Sequence, residues 1–358
     1  MKRLTIGDKI ANLPIVQGGM GIGVSLSNLA AAVANEGGIG VISSAGLGLI
    51  HKKSTSYEEN NLHGLRKEIR KARSLTDGIL GINIMGAMTN YSDLVKVSIE
   101  EKIDIIFTGA GLPLDLPKYL DKDSTTKIVP IVSSGRAARM ITRKWVNNYH
   151  YIPDAFVLEG PLAGGHLGFK KEQLTDPDIT LESLLIDVLD ALRPFEEEHH
   201  KKIPVIVAGG IYTGEDIHKF IERGAAGVQM ATRFVTTDEC DASDAFKQAY
   251  INAKKEDIVF IESPVGLPGR AIRNQYLDDM NKGLKRPFTC PYDCIHTCKK
   301  EKAPYCITLA LFNAKNGKLD NGFIFAGSNA YLSDKIVSIK ELIQTLQNEF
   351  IQAQLKTT

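Results

Sequence analysis

The sequence lacks several features, and each absence removes a class of protein. Its 358 residues contain no apolar run of about 18, so it offers no membrane-spanning helix and no membrane partner is expected. Lysine and arginine (43) balance aspartate and glutamate (42) at a net charge of +1, so no global field draws in nucleic acid or anionic lipid. Residues 1–8 carry scattered charges and lack the apolar core of about 7–15 residues that a secretory signal needs. Cysteine is scarce and odd in number, with four of the five crowded between Cys290 and Cys306, unlike a secreted disulfide framework. The expected location is therefore the cytoplasm. Also missing are G-x-x-x-x-G-K-[ST], H-E-x-x-H and G-x-S-x-G. The early glycines Gly19, Gly21 and Gly23 have the wrong spacing for a dinucleotide fingerprint, because position 24 is valine.

What is present is the composition of a globular protein with a full core, 43% hydrophobic and 24% charged. From residue 13 a rhythm repeats: short apolar run, turn, amphipathic segment. The runs are Leu13-Pro14-Ile15-Val16, residues 39–44, 80–85, 104–108, 127–132, 155–158, 204–208 and 226–230. They are continuously apolar, as strands covered on both faces of a parallel sheet are. Eight such units predict a (β/α)8 TIM barrel; an open doubly wound sheet normally has fewer strands. Thr213 with Asp216 three residues on marks a capped helix that closes at Gly224. A second helix carries Leu62, Leu65, Ile69 and Ala72 on one face, while Arg66, Lys67, Arg70, Lys71 and Arg73 make a solvated basic face. The expected division is a barrel over 1–256, an irregular cysteine-bearing insert over 257–325, and an amphipathic helix within 326–358 that docks on the barrel.

Chemistry concentrates where strands end in glycine. Leu158-Glu159-Gly160-Pro161-Leu162-Ala163-Gly164-Gly165-His166-Leu167-Gly168 follows the sixth run. Glycines this dense let backbone approach a ligand, and His166 is the one side chain there that changes charge near neutral pH. Ala208-Gly209-Gly210-Ile211 and Gln229-Met230-Ala231-Thr232-Arg233-Phe234 end the seventh and eighth runs, where β/α barrels commonly bind phosphate.

These stretches, with Pro14-Ile15-Val16-Gln17-Gly18-Gly19-Met20, Gly81-Ile82-Asn83 and the run from Gly266 to Asn274, whose Gly269-Arg270-Ala271 is similar to the family's Gly-x-Pro-x-Arg connection, resemble the nitronate monooxygenase (2-nitropropane dioxygenase-like) family. That family also includes the flavin-dependent enoyl-acyl-carrier-protein reductases. The resemblance covers residues 13 to about 275 and the tail from about 322. It implies non-covalent FMN, with Gln17, Gly18, Gly19, Met20 and Asn83 along the ring, and Glu159, Gly164 and Gly165 touching the flavin. It also implies a phosphate held by Gly209, Gly210, Gln229, Met230, Ala231 and Thr232, although the family usually has glycine where this chain has Ala231. His166 matches the family's active-site histidine. With an ordinary pKa of about 6.5 it would suit proton abstraction next to a nitro group, or stabilisation of charge on a substrate. The implied reaction is oxidation of a small alkyl nitronate with O2. The alternative is an NAD(P)H-dependent reductase of an enoyl thioester or quinone, for which the basic face at 66–73 could dock an acidic carrier protein. A homodimer is compatible with either.

The spacing Cys290-x3-Cys294-x3-Cys298-x7-Cys306 lies outside that pattern. If 290–298 were helical, three sulfurs would share a face, and four thiolates can hold zinc or an iron–sulfur cluster. The gaps differ from C-x2-C, so buried or redox-responsive thiols without metal are the expectation.

Overall fold

The computed structural model describes residues 1–284, 290 and 292–357. A hairpin of β1 (Leu4–Ile6) and β2 (Lys9–Ala11) precedes the barrel strands β3 (Ile15–Gln17), β4 (Ile39–Ser43), β5 (Leu80–Met85), β6 (Ile105–Gly109), β7 (Lys127–Val132) and β8 (Phe156–Glu159). The two-residue strand β9 (Gly165–His166) interrupts the series, which resumes with β10 (Val205–Ala208) and β11 (Gly227–Met230). β3 to β8, β10 and β11 pair in parallel and close into an eight-stranded barrel, β11 returning to β3. The predicted (β/α)8 barrel is the fold.

The helices are α1 (Ser27–Asn35), α2 (Leu47–Ile50), α3 (Tyr57–Leu75), α4 (Tyr91–Glu100), α5 (Gly135–Tyr149), α6 (Leu181–His199), α7 (Gly214–Glu222) and the short α8 (Thr232–Val235). Side chains alternate across each strand, so Phe156 and Leu158 join the layer between sheet and helices, while Val157 joins the interior with Val41, Phe107 and Ile206. Leu4, Ile6 and Ala11 of the hairpin pack into that interior set. Full burial of each such side chain contributes about 1.5–3 kcal/mol, which makes these two layers the main stabilising element.

Past the barrel come α9 (Asp244–Asn252), β12 (Ile258–Glu262), β13 (Pro268–Ile272), α10 (Gln275–Asn281), α11 (Ile307–Lys315), β14 (Ile324–Phe325) and α12 (Ile339–Thr357). The described residues of 257–325, expected to be irregular, thus include regular strands and helices. β13 pairs with β12, β14 and β9, so the barrel loop carrying His166 shares a sheet with the following segment. The tail helix α12 packs Leu342, Ile343, Leu346 and Phe350 into the outer layer beside Ile217 and Phe220 of α7.

Two surface expectations change. The basic run on α3 is largely neutralised within the chain: Arg66 pairs with Glu100 and Glu101, Arg70 grips Glu101 through two nitrogens, and Arg73 meets Asp104. The described part of 290–298 is not helical, because Ile295 is drawn into a β-bridge with Met88. The four thiols are free, and among the described residues no three His, Cys, Asp or Glu side chains are grouped to hold a metal ion. No helix among the described residues is long and apolar enough to cross a membrane.

Candidate active site

The end of every barrel strand opens onto one cavity. Its wall takes Gly18, Gly19 and Met20 after β3, Ser43 from β4, Asn83 and Met85 from β5, Gly109 from β6, Ile131 from β7 and Glu159 from β8. Ala208, Gly209 and Gly210 follow from β10, and Gln229, Met230, Ala231 and Thr232 from β11. Gly164, Gly165 and His166 complete the set. One sequence-predicted residue departs from it. Gln17 is fully buried and does not face the cavity, because its side-chain amide accepts from Val41 N (3.0 Å) and donates to Val41 O (3.2 Å) on the neighbouring strand.

Gly18 and Gly19 line the cavity with backbone, packed closely against neighbouring side chains. A Cβ on Gly19 would stand 2.4 Å from the Asn83 Cβ, and one on Gly18 would stand 3.1 Å from the Gln229 Cγ. A planar group could lie there between the two carboxamides, which offer both donors and acceptors to its edges.

Three barrel helices have their N-terminal amides already occupied. The α1 N-terminus is already taken by carboxylates: Asp241 accepts from Leu26 N and Leu29 N, and Glu68 accepts from Ser27 N. Asp187 takes Gly135 N of α5, while Asp216 and Glu349 take that of α7. Gly209 and Gly210, at φ of 97° and 83°, instead turn the chain tightly after β10. The segment after β14 closes over them. Asn329 Nδ2 donates to Gly210 O (2.8 Å), Ser328 N to Leu162 O (3.1 Å), and Gly327 N to Thr232 Oγ1 (3.2 Å). Sequence reasoning missed this closing segment, although the turn-forming run Gly327-Ser328-Asn329 after an apolar pair was a signal for it. Ala231 has φ of −129°, outside the left-handed range that would call for glycine.

His166 is held from three sides. Its backbone pairs with Gly269 of β13, its ring meets Phe325 edge-on at 4.9 Å between centroids, and Nε2 lies 2.7 Å from the Ser263 hydroxyl. Burial pushes its pKa down to about 4, so the imidazole is neutral at pH 7 and is not the base near 6.5 expected from sequence. Burial also raises Glu159, with no other cause resolved, to about 7. The Cys294 thiol on the same wall rises to about 11, and the Tyr57 and Tyr250 hydroxyls are raised further, burial being the largest cause each time. No lysine or arginine lines the cavity among the described residues. The wall is electrically quiet and favours neutral forms. Beyond His166 it is apolar, with Ile22, Met88, Ile295, Ile307 and Leu311.

Behind the loop, Arg270 is 5% exposed; its guanidinium donates to Ala163 O and lies over the Phe260 ring at 4.7 Å. It fixes the loop carrying Gly164 and Gly165 from outside the cavity. This explains the arginine of the Gly-x-Pro-x-Arg run.

A family model described as nitronate monooxygenase matches residues 4–96 and 85–349. Over 272 residues the chain is 28% identical to (3aS,4S,5R,7aS)-5-hydroxy-7a-methyl-1-oxo-octahydro-1H-indene-4-carboxyl-CoA dehydrogenase of Mycobacterium tuberculosis (strain ATCC 25618 / H37Rv). That alignment takes in 76% of this chain and 66% of the dehydrogenase, just under two thirds of its length. A probable nitronate monooxygenase of Staphylococcus aureus (strain MSSA476) is 27% identical over 295 residues, 75% of this chain and 78% of that protein. Among solved structures, FabK from Thermotoga maritima superposes with a TM-score of 0.75 at 30% identity, covering 97% of this chain and 95% of that one.

Proposed function

We propose that this chain, which belongs to the nitronate monooxygenase family, is an FMN-dependent oxidoreductase that oxidises alkyl nitronates with O2 and uses His166 on the substrate. The observation that carries this reading is the placement of His166 on one wall of a cavity also lined by Gly18 and Gly19 beside two carboxamides and by a glycine–threonine cradle. The donor set suits FMN. Thr232 Oγ1 accepts from Gly327 N, which leaves its own proton for a phosphate oxygen beside the 209–210 turn. Asn83 and Gln229 flank Gly18 and Gly19 with amides suited to the polar edges of a ring. When bound, the flavin supplies a two-electron acceptor that O2 can regenerate.

His166 then has a defined part. Its neutral ring offers a nitrogen to the substrate's nitro oxygens or to a proton, and the apolar wall around it excludes water. Met85, Met88 and Ile295 would seat the alkyl part.

A second reading draws on the absence of lysine and arginine from the cavity wall among the described residues. A wall that favours neutral groups suits an uncharged substrate, such as an enoyl thioester or quinone reduced at the expense of NAD(P)H. Docking of an acidic carrier protein on α3 has less to recommend it, with Arg66, Arg70 and Arg73 already paired.

Anaerobic bleaching of the flavin separates the two. Reduction by propionate 3-nitronate but not by NADH or NADPH supports the monooxygenase; the reverse pattern selects the reductase. A purified protein without flavin absorbance would sink both.

A further inference from the structure

We propose that Ser263 is a positioning residue for His166, donating its hydroxyl proton to Nε2 so that the imidazole carries its own proton on Nδ1. The inference rests on the reading of His166 as the residue facing substrate and adds which nitrogen holds the proton.

The hairpin of β12 and β13 supplies the positioning group. Its turn holds Ser263 rigidly: Ser263 N donates to Leu267 O (3.1 Å), and Ser263 O accepts from Gly266 N (2.9 Å). The residue is 7% exposed, so its hydroxyl must find partners within the protein. Val265 N approaches Oγ at 3.4 Å and occupies the acceptor side. The hydroxyl proton then has one acceptor among the described residues, His166 Nε2 at 2.7 Å. In the opposite arrangement Nε2–H would donate to Ser263, and the hydroxyl proton would be left buried without an acceptor. The same hairpin aligns the His166 backbone, since Gly269 of β13 pairs with it. Backbone and ring are therefore clamped by one element 97 residues further along the chain.

The chemical consequence is specific. A ring whose Nε2 is occupied by Ser263 has Nδ1–H left to offer, and so meets a substrate oxygen as a hydrogen-bond donor. Drawing a proton from carbon would first require the ring to exchange tautomers. Free imidazole side chains favour the proton on Nε2, so the bias is one that the protein must impose.

The test is tautomer-resolved 15N NMR of the holoenzyme labelled at histidine, at pH 8, with His166→Asn used to assign the resonance. The expected spectrum shows Nδ1 protonated and Nε2 as acceptor. In Ser263→Ala the population should move toward Nε2–H, with kcat/KM falling about 10-fold and flavin content unchanged, while Ser263→Thr retains the wild-type tautomer. A wild-type ring protonated on Nε2, or a Ser263→Ala ring with an unchanged tautomer, overturns the proposal. Should Ser263→Ala not fold, the wild-type and Ser263→Thr spectra decide. The spectrum needs no turnover, so a protein that oxidises no nitronate still answers this question separately.

Discussion

Asn329 reaches back 119 residues to donate its side-chain amide to the carbonyl of Gly210 at 2.8 Å. This bond ties the segment after β14 to the turn after β10, the two sides of the cradle to which we assign the phosphate. Asn329→Ala should leave the barrel intact and loosen the cradle. Loss of one hydrogen bond worth about 1 kcal/mol predicts FMN affinity weaker by about 5-fold. Fluorescence titration of the apoprotein with FMN measures it. An unchanged Kd would mean that this segment does not close on the cofactor.

Ala231 gives a prediction of the opposite kind. Glycine is usual at this place in the family, yet the backbone sits at φ of −129° and makes no left-handed turn that would call for glycine. Ala231→Gly should therefore bring no gain in FMN affinity. It should lower stability by about 0.4–1 kcal/mol through the freer unfolded chain. Thermal melts with parallel FMN titrations check both halves, and a several-fold gain in affinity would contradict the backbone argument.

The division between what the sequence disclosed and what it hid follows physical range. Runs such as residues 204–208 declare themselves because a parallel strand buried on both faces is apolar throughout. The glycines at 18–19, 164–165 and 209–210 were legible because close approach and positive φ leave few alternatives to glycine. β12 and β13 were not legible. β12 leaves every residue but Ile261 partly or fully exposed, and β13 opens on proline and glycine, while its partners β9 and β14 lie far off in sequence. Ser263 and Asn329 were hidden for the same reason, as each meets its partner only after folding. Gln17, which the family resemblance set along the ring, instead completes the hydrogen bonding of Val41, a pairing across two strands that only the fold reveals. The low pKa of His166 depends on burial, which spacing along a chain does not carry.

Glu68 is 4% exposed and supports the first barrel helix. One oxygen accepts from Ser27 N (2.9 Å) and the other lies 2.7 Å from His51 Nε2. Burial opposes its ionisation, but the hydrogen bonds from Ser27 and His51 outweigh this and hold the carboxyl below its ordinary pKa. Glu68→Ala would strand Ser27 N and His51 together. A loss of about 1–3 kcal/mol for each stranded group is expected, with Glu68→Gln losing less because it can still accept from Ser27. Urea denaturation of both variants tests the order; equal losses would show that charge, and not hydrogen bonding, dominates.

His166 and Glu159 put opposite pH dependences into one cavity. The histidine is lowered from 6.5 to about 4, so below pH 6.5 the unfolded chain takes up a proton that the folded one refuses. Its contribution to stability is present at pH 7 and is lost as pH falls from 6.5 to about 4. The glutamate is raised from 4.5 to about 7, so the folded chain holds a proton that the unfolded one releases. Its contribution is present below pH 4.5 and is lost as pH rises to about 7. Between pH 4.5 and 6.5 the two slopes nearly cancel in the wild type. Single substitutions should expose them: on going from pH 7 to pH 5, Glu159→Gln loses thermal stability relative to wild type, and His166→Asn gains it. Melting midpoints of the three proteins across that range provide the measurement. Parallel curves would mean that the two groups titrate at their ordinary values and that the cavity is wetter than its apolar wall implies.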